Sequence, residues 1–250
     1  MLKAALIGFY DFRETDPWEV IGKISGWGYK ALEHGGFLLK GDVDENLKKL
    51  SDMDFAVLSI SADVKEFENN LDEIISNAKK IRVENVICFW SDPQDYKQAV
   101  EVAKIFDKTG ELLRKEGLFL CYHNHDHEFK KVFNGVKYFD LLMAETSPEN
   151  LFLNLDVGWV TMGGEDAVEL IDRVRERVRL LHFKDFYDLN NKGSFTALGT
   201  GKVKIQDLVA KAAEIGLEYI TVEQDVVRNL NADDTVLLSY LTLKESGLVE

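Results

Sequence analysis

The stretch at residues 121–129 reads CYHNHDHEF and holds three of the five histidines in the chain. They are His123, His125 and His127, at alternate positions, and Glu128 follows them. On a regular strand alternate residues share one face, so the three imidazoles would point one way and Glu128 the other. Imidazoles paired on a strand can bind zinc. The stretch therefore predicts either a histidine metal site or a strand end that delivers a carboxylate.

Three further residues with metal-binding side chains follow or end apolar runs later in the chain. They are Asp156 in LNLDVGW, His182 in LLHFKDF and Glu223 in TVEQD. With Glu128 they would come from four successive strands, and three converging carboxylates would raise one another's pKa unless a cation lay between them. Oxygen-rich ligation with one imidazole favours Mn²⁺, with Mg²⁺, Co²⁺ or Zn²⁺ as alternatives. For any one residue alone, a helix cap or a salt bridge is the competing interpretation.

The elements that must position these residues are short, nearly continuous apolar runs separated by amphipathic stretches. Such runs are typical of strands buried on both faces of a parallel sheet. The predicted strands are 4–9, 30–33, 55–61, 85–90, 118–123, 151–157, 179–184 and 219–224. The predicted helices start at Asp16-Pro17 and Asp92-Pro93 or cover 67–81, 165–178, 205–215 and 233–245, with weaker patterns at 43–51 and 138–145.

Eight strand–helix units in 250 residues predict a (β/α)₈ TIM barrel that forms a single domain over residues 1–250. An open doubly wound sheet is the alternative fold. That fold usually has a glycine-rich phosphate turn after its first strand, whereas this chain continues as GFYDFRE. In a barrel the active site lies at the carboxyl ends of the strands, which is where the candidate metal ligands occur.

Composition limits the class of partner. A hydrophobic content of 46% predicts a globular fold, and a formal net charge of −14 disfavours binding to nucleic acid or to an anionic membrane. No apolar run approaches the about 20 residues of a membrane span, and the first residues lack a signal pattern. Cys88 and Cys121 lie in apolar runs and fit a reducing compartment. We expect a cytoplasmic protein, for which a homo-oligomer is compatible with the sequence.

At these motifs the chain resembles a known family. YHNHDHEF, LDVGW, LHFKDF and VEQD are similar to the signatures of the xylose isomerase-like TIM barrels, which include ketose 3-epimerases and inosose dehydratases. The resemblance implies that Glu128, Asp156, His182 and Glu223 hold a divalent metal. It also implies isomerisation or epimerisation of a ketose, inosose or keto-sugar through an enediolate, with Glu128 and Glu223 as proton-transfer groups.

The chain departs from the ketose 3-epimerases at two positions. Trp159 stands where those enzymes have a histidine, and Lys184 lies near the position of their arginine. Lys184 follows His182 by two residues and shares its strand face, so it is a candidate electrophile or acid/base group, with a rim salt bridge as the alternative. The HNHxxEF pattern is also similar to that of enzymes acting on oxidised sugars, inososes and 3-keto-glycosides. This resemblance implies a lyase or dehydratase acting on a keto-sugar, inosose or 3-keto-glycoside as the rival function.

The remaining candidate residues would surround the substrate. We expect His123 and His125 to support the metal site or contact substrate, and His127 to lie at the rim. Trp90 and Trp159 would wall a sugar pocket, with ordinary packing as the alternative. The turn Gly199-Thr200-Gly201 would either bind a phosphate through its amides or be an ordinary turn.

Two other function classes are alternatives to an isomerase or lyase. A metal phosphodiesterase of the endonuclease-four type would need more histidine ligands than this chain offers and a basic groove for DNA. A non-enzymatic sugar-binding barrel would have no use for a complete metal-ligand set.

Overall fold

The computed structural model describes residues 1–7 and 15–250. Nine parallel strands form its central sheet. They are β1 (Lys3–Ile7), β2 (Ala31–Leu32), β3 (Ala56–Val57), β4 (Ser59–Ser61), β5 (Asn85–Cys88), β6 (Phe119–His123), β7 (Phe152–Asp156), β8 (Val178–Phe183) and β9 (Tyr219–Glu223). Their order across the sheet is β3-β2-β1-β9-β8-β7-β6-β5-β4. Positions 8 and 9 of the predicted first strand lie outside the described residues.

The two edges of this sheet are consecutive in sequence, and Leu58 alone separates them. The amide of Leu58 donates to the carbonyl of Leu32 at 3.0 Å, and its carbonyl accepts a bond from the side chain of Asn85 at 3.0 Å. The predicted third strand thus spans the seam, pairing with β2 through β3 and with β5 through β4. The sheet is nearly closed into a barrel, which confirms the predicted fold and excludes the open sheet.

Helices surround the barrel, and all but two short ones, His127–Lys130 and Val157–Met162, lie where the sequence predicts helices. They are α1 (Pro17–Trp27), α2 (Val43–Asp52), α3 (Val64–Asn69), α4 (Leu71–Lys80), α5 (Tyr96–Lys115), α6 (His127–Lys130), α7 (Tyr138–Glu145), α8 (Val157–Met162), α9 (Ala167–Val174), α10 (Ile205–Glu214) and α11 (Ala232–Lys244). The Asp16-Pro17 start is confirmed, because the Asp16 carboxylate accepts the amide of Trp18 at 3.1 Å. In the described part of the chain, no helix is both long and apolar enough to cross a membrane.

Three predicted helix limits are wrong. The helix expected at Asp92-Pro93 begins at Tyr96, because Asp95 supplies the cap by accepting the amide of Gln98 at 2.8 Å. The repeat at 67–81 forms two helices, α3 and α4, that meet at Asn70, whose φ of −132° and ψ of 22° are not helical. The helix expected at 165–178 ends at Val174 and passes into a 3₁₀ turn.

The inside of the barrel changes from apolar to polar along the strands. Ile87, Cys121 and Leu180 form a small buried apolar layer inside it, and both cysteines are buried free thiols, as expected. One alternation further along β6, beyond Cys121, lies the inward-facing His123. Two short hairpins that the sequence did not predict, Val132–Phe133 with Val136–Lys137 and Asp185–Phe186 with Phe195–Thr196, lie in the loops after β6 and β8.

Candidate metal centre

Four buried side chains meet inside the barrel at the carboxyl ends of four adjacent strands. His123 ends β6, Asp156 ends β7, Glu223 ends β9 and His182 is the last but one residue of β8. One potential ligand atom from each lies within 4.8 Å of the others. We call these four residues the first cluster. Their convergence follows from strand alternation, because each side chain points inward from its own strand.

The distances within the first cluster are close to those of ligands around one ion. Glu223 Oε2 lies 2.7 Å from His182 Nδ1 and 3.8 Å from His123 Nε2. The second carboxylate, Asp156 Oδ2, lies 3.9 Å from His123 Nε2. Ligands bound to Zn²⁺ at about 2.1 Å in tetrahedral geometry are about 3.4 Å apart, so small shifts would bring these atoms onto one cation.

Asp156 tests whether the cluster fits a cation. Its Oδ1 accepts the amide of Trp159 at 2.7 Å, but its Oδ2 is buried without a hydrogen-bond partner among the described residues. Burial raises the pKa of Asp156 to about 7, Lys184 opposes this rise and Glu223 adds to it. A buried carboxylate oxygen with no hydrogen bond is costly unless a proton or cation approaches it, and the Lys184 ammonium lies 3.2 Å away. Two carboxylates and two imidazoles within 4.8 Å of one another are also a donor set that fits a divalent metal.

His182 is fixed from the side opposite the cluster. Its Nε2 lies 2.8 Å from Glu33 Oε1 and 2.9 Å from the side-chain amide nitrogen of Asn154. The Thr221 hydroxyl donates to the same Glu33 oxygen at 2.6 Å. Burial alone would lower the pKa of His182, but Glu33 and Glu223 outweigh it and raise the pKa to about 10. A carboxylate on the distal nitrogen is the usual support of a metal-binding histidine.

The contacts of Glu33, Asn154 and Thr221 that support His182 were not predicted from the sequence. Glu33 ends the second predicted strand, while Asn154 and Thr221 precede Asp156 and Glu223 by two residues. Strand alternation could have found Asn154 and Thr221, because a polar residue two positions before an inward-facing ligand also faces inward. Glu33 could have been found from its position at a strand end, where the site of a barrel lies.

Lys184 follows β8 and is fully buried, so the salt bridges that it forms are buried and not exposed at the rim. Its ammonium nitrogen is 3.2 Å from Asp156 Oδ2, 3.4 Å from Glu223 Oε2 and 3.0 Å from Asp225 Oδ2. Burial would lower the pKa of Lys184, but the three carboxylates raise it instead. Lys184 thus balances the negative charge of the first cluster.

Glu128 is the predicted ligand that the structure does not bring to the other three. β6 ends at His123, the chain turns into α6, and Glu128 lies in the first turn of that helix. Its carboxylate accepts the hydroxyl of Tyr122 at 2.6 Å and the amide of His125 at 2.8 Å. Its burial raises its pKa. His123, at the end of β6, lies where Glu128 was expected in the cluster. The ligand and catalytic roles of Glu128 stay predictions.

A cavity of about 710 Å³ opens above the first cluster. His123, His125, Glu223 and Trp90 line it, and Trp90 stands 54% exposed at its edge. Trp159 does not line this cavity. It is buried with its ring 5.7 Å from that of His125 and 4.8 Å from the Lys184 ammonium. Three of the four predicted substrate-binding residues thus lie at the cavity, and Trp159 packs behind one of them.

The turn at Gly199-Thr200-Gly201 has its amides occupied. Asp185 accepts the amide of Gly199 at 3.0 Å and that of Gly201 at 2.9 Å, and also bonds the amide of Val203 at 3.0 Å. An added Cβ at Gly201 would lie 2.2 Å from the Asp185 carboxylate, so this glycine permits the close approach. The alternative of an ordinary turn therefore holds, organised by the chain's own carboxylate in place of a phosphate.

Comparison with known proteins gives concordant matches. The family model described as xylose isomerase-like TIM barrel matches residues 28–237. An inosose dehydratase of Clostridium perfringens is 27% identical over 140 residues, which are 50% of this chain and 46% of that enzyme, so the chain spans about half the length of the curated relatives it matches. A sugar phosphate isomerase/epimerase from Parabacteroides distasonis superimposes with a TM-score of 0.83 at 22% identity, over 100% of this chain and 96% of that one. The IOLI protein, solved with a zinc atom, does so with a TM-score of 0.75 at 12% identity, over 98% of each chain.

Proposed function

Because the chain belongs to the xylose isomerase-like TIM barrel family, we propose that it is a divalent-metal-dependent enzyme acting on an uncharged keto-sugar or inosose. The proposed reaction is removal of the proton beside the carbonyl, followed by loss of water. The observation that carries the proposal is the first cluster, in which four buried ligand atoms lie within 4.8 Å of one another below a cavity.

The metal would be held by His123 Nε2, Asp156 Oδ2, His182 Nδ1 and Glu223 Oε2. When bound there, it supplies Lewis-acid polarisation of a substrate carbonyl. The sequence-based preference for Mn²⁺ assumed three carboxylates and one imidazole. Two carboxylates and two imidazoles suit Zn²⁺ and Co²⁺ as well as Mn²⁺, and the zinc-bound fold neighbour supports Zn²⁺.

The chain's own side chains supply the proton transfer. His125 lines the cavity, and burial lowers its pKa to about 3, so its imidazole is neutral and presents a ring nitrogen to the substrate for hydrogen bonding. Glu223 reaches the cavity and keeps its predicted role in proton transfer. Lys184 provides a fixed positive charge beside these groups, which favours negative charge developing on a substrate oxygen.

The position of Glu128 favours dehydration over epimerisation by two glutamates. Epimerisation needs proton donors and acceptors on both faces of the substrate, and Glu128 is turned away from the cavity toward Tyr122. Elimination needs one acid/base group, because the group that removes the proton beside the carbonyl can return it to the hydroxyl, which leaves as water. The similarity to an inosose dehydratase supports the same choice. Epimerisation is the second candidate, supported by the sugar phosphate isomerase/epimerase fold neighbour.

The cavity lining supports an uncharged substrate. Among the described residues it contains no lysine or arginine, and its carboxylates are Glu33, Asp63, Glu66, Glu223 and Asp225. Such a wall repels phosphate groups and also weighs against the endonuclease interpretation. A volume of about 710 Å³ is within the range of small-molecule sites.

The test is deuterium incorporation. Metal-stripped protein is reloaded with Zn²⁺, Mn²⁺ or Co²⁺ and incubated in D₂O with inososes, free ketoses and 3-keto-glycosides. NMR would show deuterium at the carbon beside the carbonyl together with a dehydrated product, and neither for the stripped protein. Exchange with an epimer and no dehydration would select the second candidate. No exchange with any substrate and metal would refute enolisation altogether.

A further inference from the structure

A second group of possible metal ligands lies outside the first cluster. His125, His127 and Glu128 each offer one ligand atom, and these atoms lie within 4.8 Å of one another. The Nδ1 atoms of both histidines are buried without a hydrogen-bond partner among the described residues. We call these three residues the second cluster. Neither the proposed reaction nor its metal uses His127.

The orientation of His127 determines which of its nitrogens carries the hydrogen. Its Nε2 lies 2.9 Å from the backbone carbonyl of Ser91, and a carbonyl only accepts, so Nε2 must be the donor. In the neutral imidazole, Nδ1 then presents a lone pair. The Nδ1 atom lies 3.4 Å from Glu128 Oε2, which is also an acceptor. Two acceptors at this distance need a proton or a cation between them.

The bond from His127 to the Ser91 carbonyl is also what a bound metal would require. Metal-binding histidines almost always donate their second ring nitrogen to a carbonyl or carboxylate, which fixes the ring and leaves the other nitrogen for the ion. The side chain of His127 is 12% exposed, so the rim position expected from the sequence is only partly right. The histidine is held in the orientation of a ligand.

Glu128 is held in place before any ion arrives. Tyr122 donates to its Oε1 at 2.6 Å, and the amide of His125 donates to its Oε2 at 2.8 Å. The Tyr122 hydroxyl is itself fixed by Ser91 Oγ at 2.9 Å, which lies 2.8 Å from the hydroxyl of Tyr138. Each carboxylate oxygen has a second lone pair, so these bonds leave Oε2 able to bind a cation. A preorganised carboxylate loses little freedom on binding.

We propose that the second cluster is a separate metal site, with His125 Nδ1, His127 Nδ1 and Glu128 Oε2 as its ligands. Two imidazoles and one carboxylate form a set that suits Zn²⁺ or Co²⁺ and leaves a coordination position for water. The histidine pattern in CYHNHDHEF thus has two uses. His123 faces the first cluster, and the two histidines that follow it serve the second.

Trp90 provides an optical reporter for this site. Its ring centroid lies 4.8 Å from that of His125 and 4.6 Å from that of His127. A cation bound between these imidazoles changes the surroundings of the indole, and Co²⁺ would quench its fluorescence.

The experiment counts metals per chain. Protein stripped with a chelator is loaded with excess Zn²⁺, desalted and measured by elemental analysis, and Co²⁺ titrations follow fluorescence. We expect two zinc ions per chain for the wild type, one for His127→Phe and one for Asp156→Asn. The part of the quenching that comes from Trp90 should persist in Asp156→Asn and be reduced in His127→Phe. Trp90→Phe is the control that should keep both ions and lose this part, which leaves the quenching of Trp159, whose ring lies 5.7 Å from that of His125.

Two results would overturn the second site. One is a wild-type protein that holds a single zinc ion, and the other is a count of two that His127→Phe leaves unchanged. If His127→Phe does not fold, as judged by thermal unfolding, His127→Gln replaces it with a polar side chain that lacks an imidazole. The count needs no substrate, so its failure is distinct from a failure of the proposed reaction.

Discussion

Both clusters combine imidazoles with carboxylates, but they differ in how far apart in sequence their ligands lie. The first draws His123, Asp156, His182 and Glu223 from four strands, so it exists only when the barrel is closed. The second draws its ligands from residues 125–128, on one turn of chain after β6. A ligand pattern within one short stretch and a ligand set assembled by long-range strand pairing therefore need different evidence. Four substitutions test which residues bind metal in the first cluster.

Asp156→Asn should have the largest effect. It removes a charged ligand from the first cluster while keeping the cap on the amide of Trp159. Loss of groups that only support a metal ligand lowers affinity or activity about 10- to 100-fold, so loss of this ligand should exceed about 100-fold. The measurement is metal affinity by chelator competition and, once a substrate is found, kcat/KM.

The matched control for that change is Asp126→Asn. Asp126 is another buried aspartate near the site, but it accepts bonds from Lys130 and Lys192 and belongs to neither cluster. It should keep metal affinity at the first cluster. Equal losses in both variants would mean that any charge change near the site disrupts it, and that Asp156 has no special role.

Lys184→Met should come next and should distinguish metal-free from metal-loaded protein. Without metal, Lys184 is the cation that balances Asp156, Glu223 and Asp225, and breaking a buried ion pair costs about 3 kcal/mol or more. A bound divalent ion should recover most of this loss. Chemical unfolding with and without Zn²⁺ measures both values.

The control for the lysine change is Lys192→Met, which removes an exposed partner of Asp126. Exposed ion pairs contribute about 1 kcal/mol or less, so this variant should unfold nearly as the wild type does. If Lys184→Met were equally destabilised with and without metal, Lys184 would act in packing alone.

Glu33→Gln should have a smaller effect, limited to the first cluster. It weakens the bond that orients His182 from behind, so metal affinity should fall about 10- to 100-fold. Glu66→Gln is the control, because Glu66 also lines the cavity but bonds the amide of Asp63 instead. Chelator competition compares the two variants. An unchanged affinity in Glu33→Gln would remove Glu33 from the site.

The sequence predicted the barrel and three of the four residues of the first cluster. Asp156, His182 and Glu223 are expected together because the carboxyl ends of the strands meet in a barrel, whereas His123 is expected only to support the site. Within a strand, alternation determines which side chains face inward. Beyond a strand end the rule fails. The chain turns after His123, and helical geometry points Glu128 toward Tyr122, which no alternation pattern can predict.

Other misses have a similar local cause. The helix start at Asp92-Pro93 failed because a second aspartate, Asp95, three residues on, competes as the cap. Lys184 was placed correctly on the face of His182, but its burial depends on three carboxylates from β7 and the β9 end. Those contacts join distant parts of the chain and become visible only once the strands are paired.

Glu128→Gln should have the smallest effect on the first cluster, and it decides between the sequence and the structure. The variant is made in a His127→Phe background, so that only one metal site remains to be measured. Because Glu128 contacts Tyr122 and the amide of His125 and no member of the first cluster, affinity there should change less than about 10-fold. His127→Phe alone is the reference, and chelator competition is the measurement. A fall of more than about 100-fold would show that Glu128 turns inward to bind the metal, as the family resemblance implies, and that His123 does not replace it.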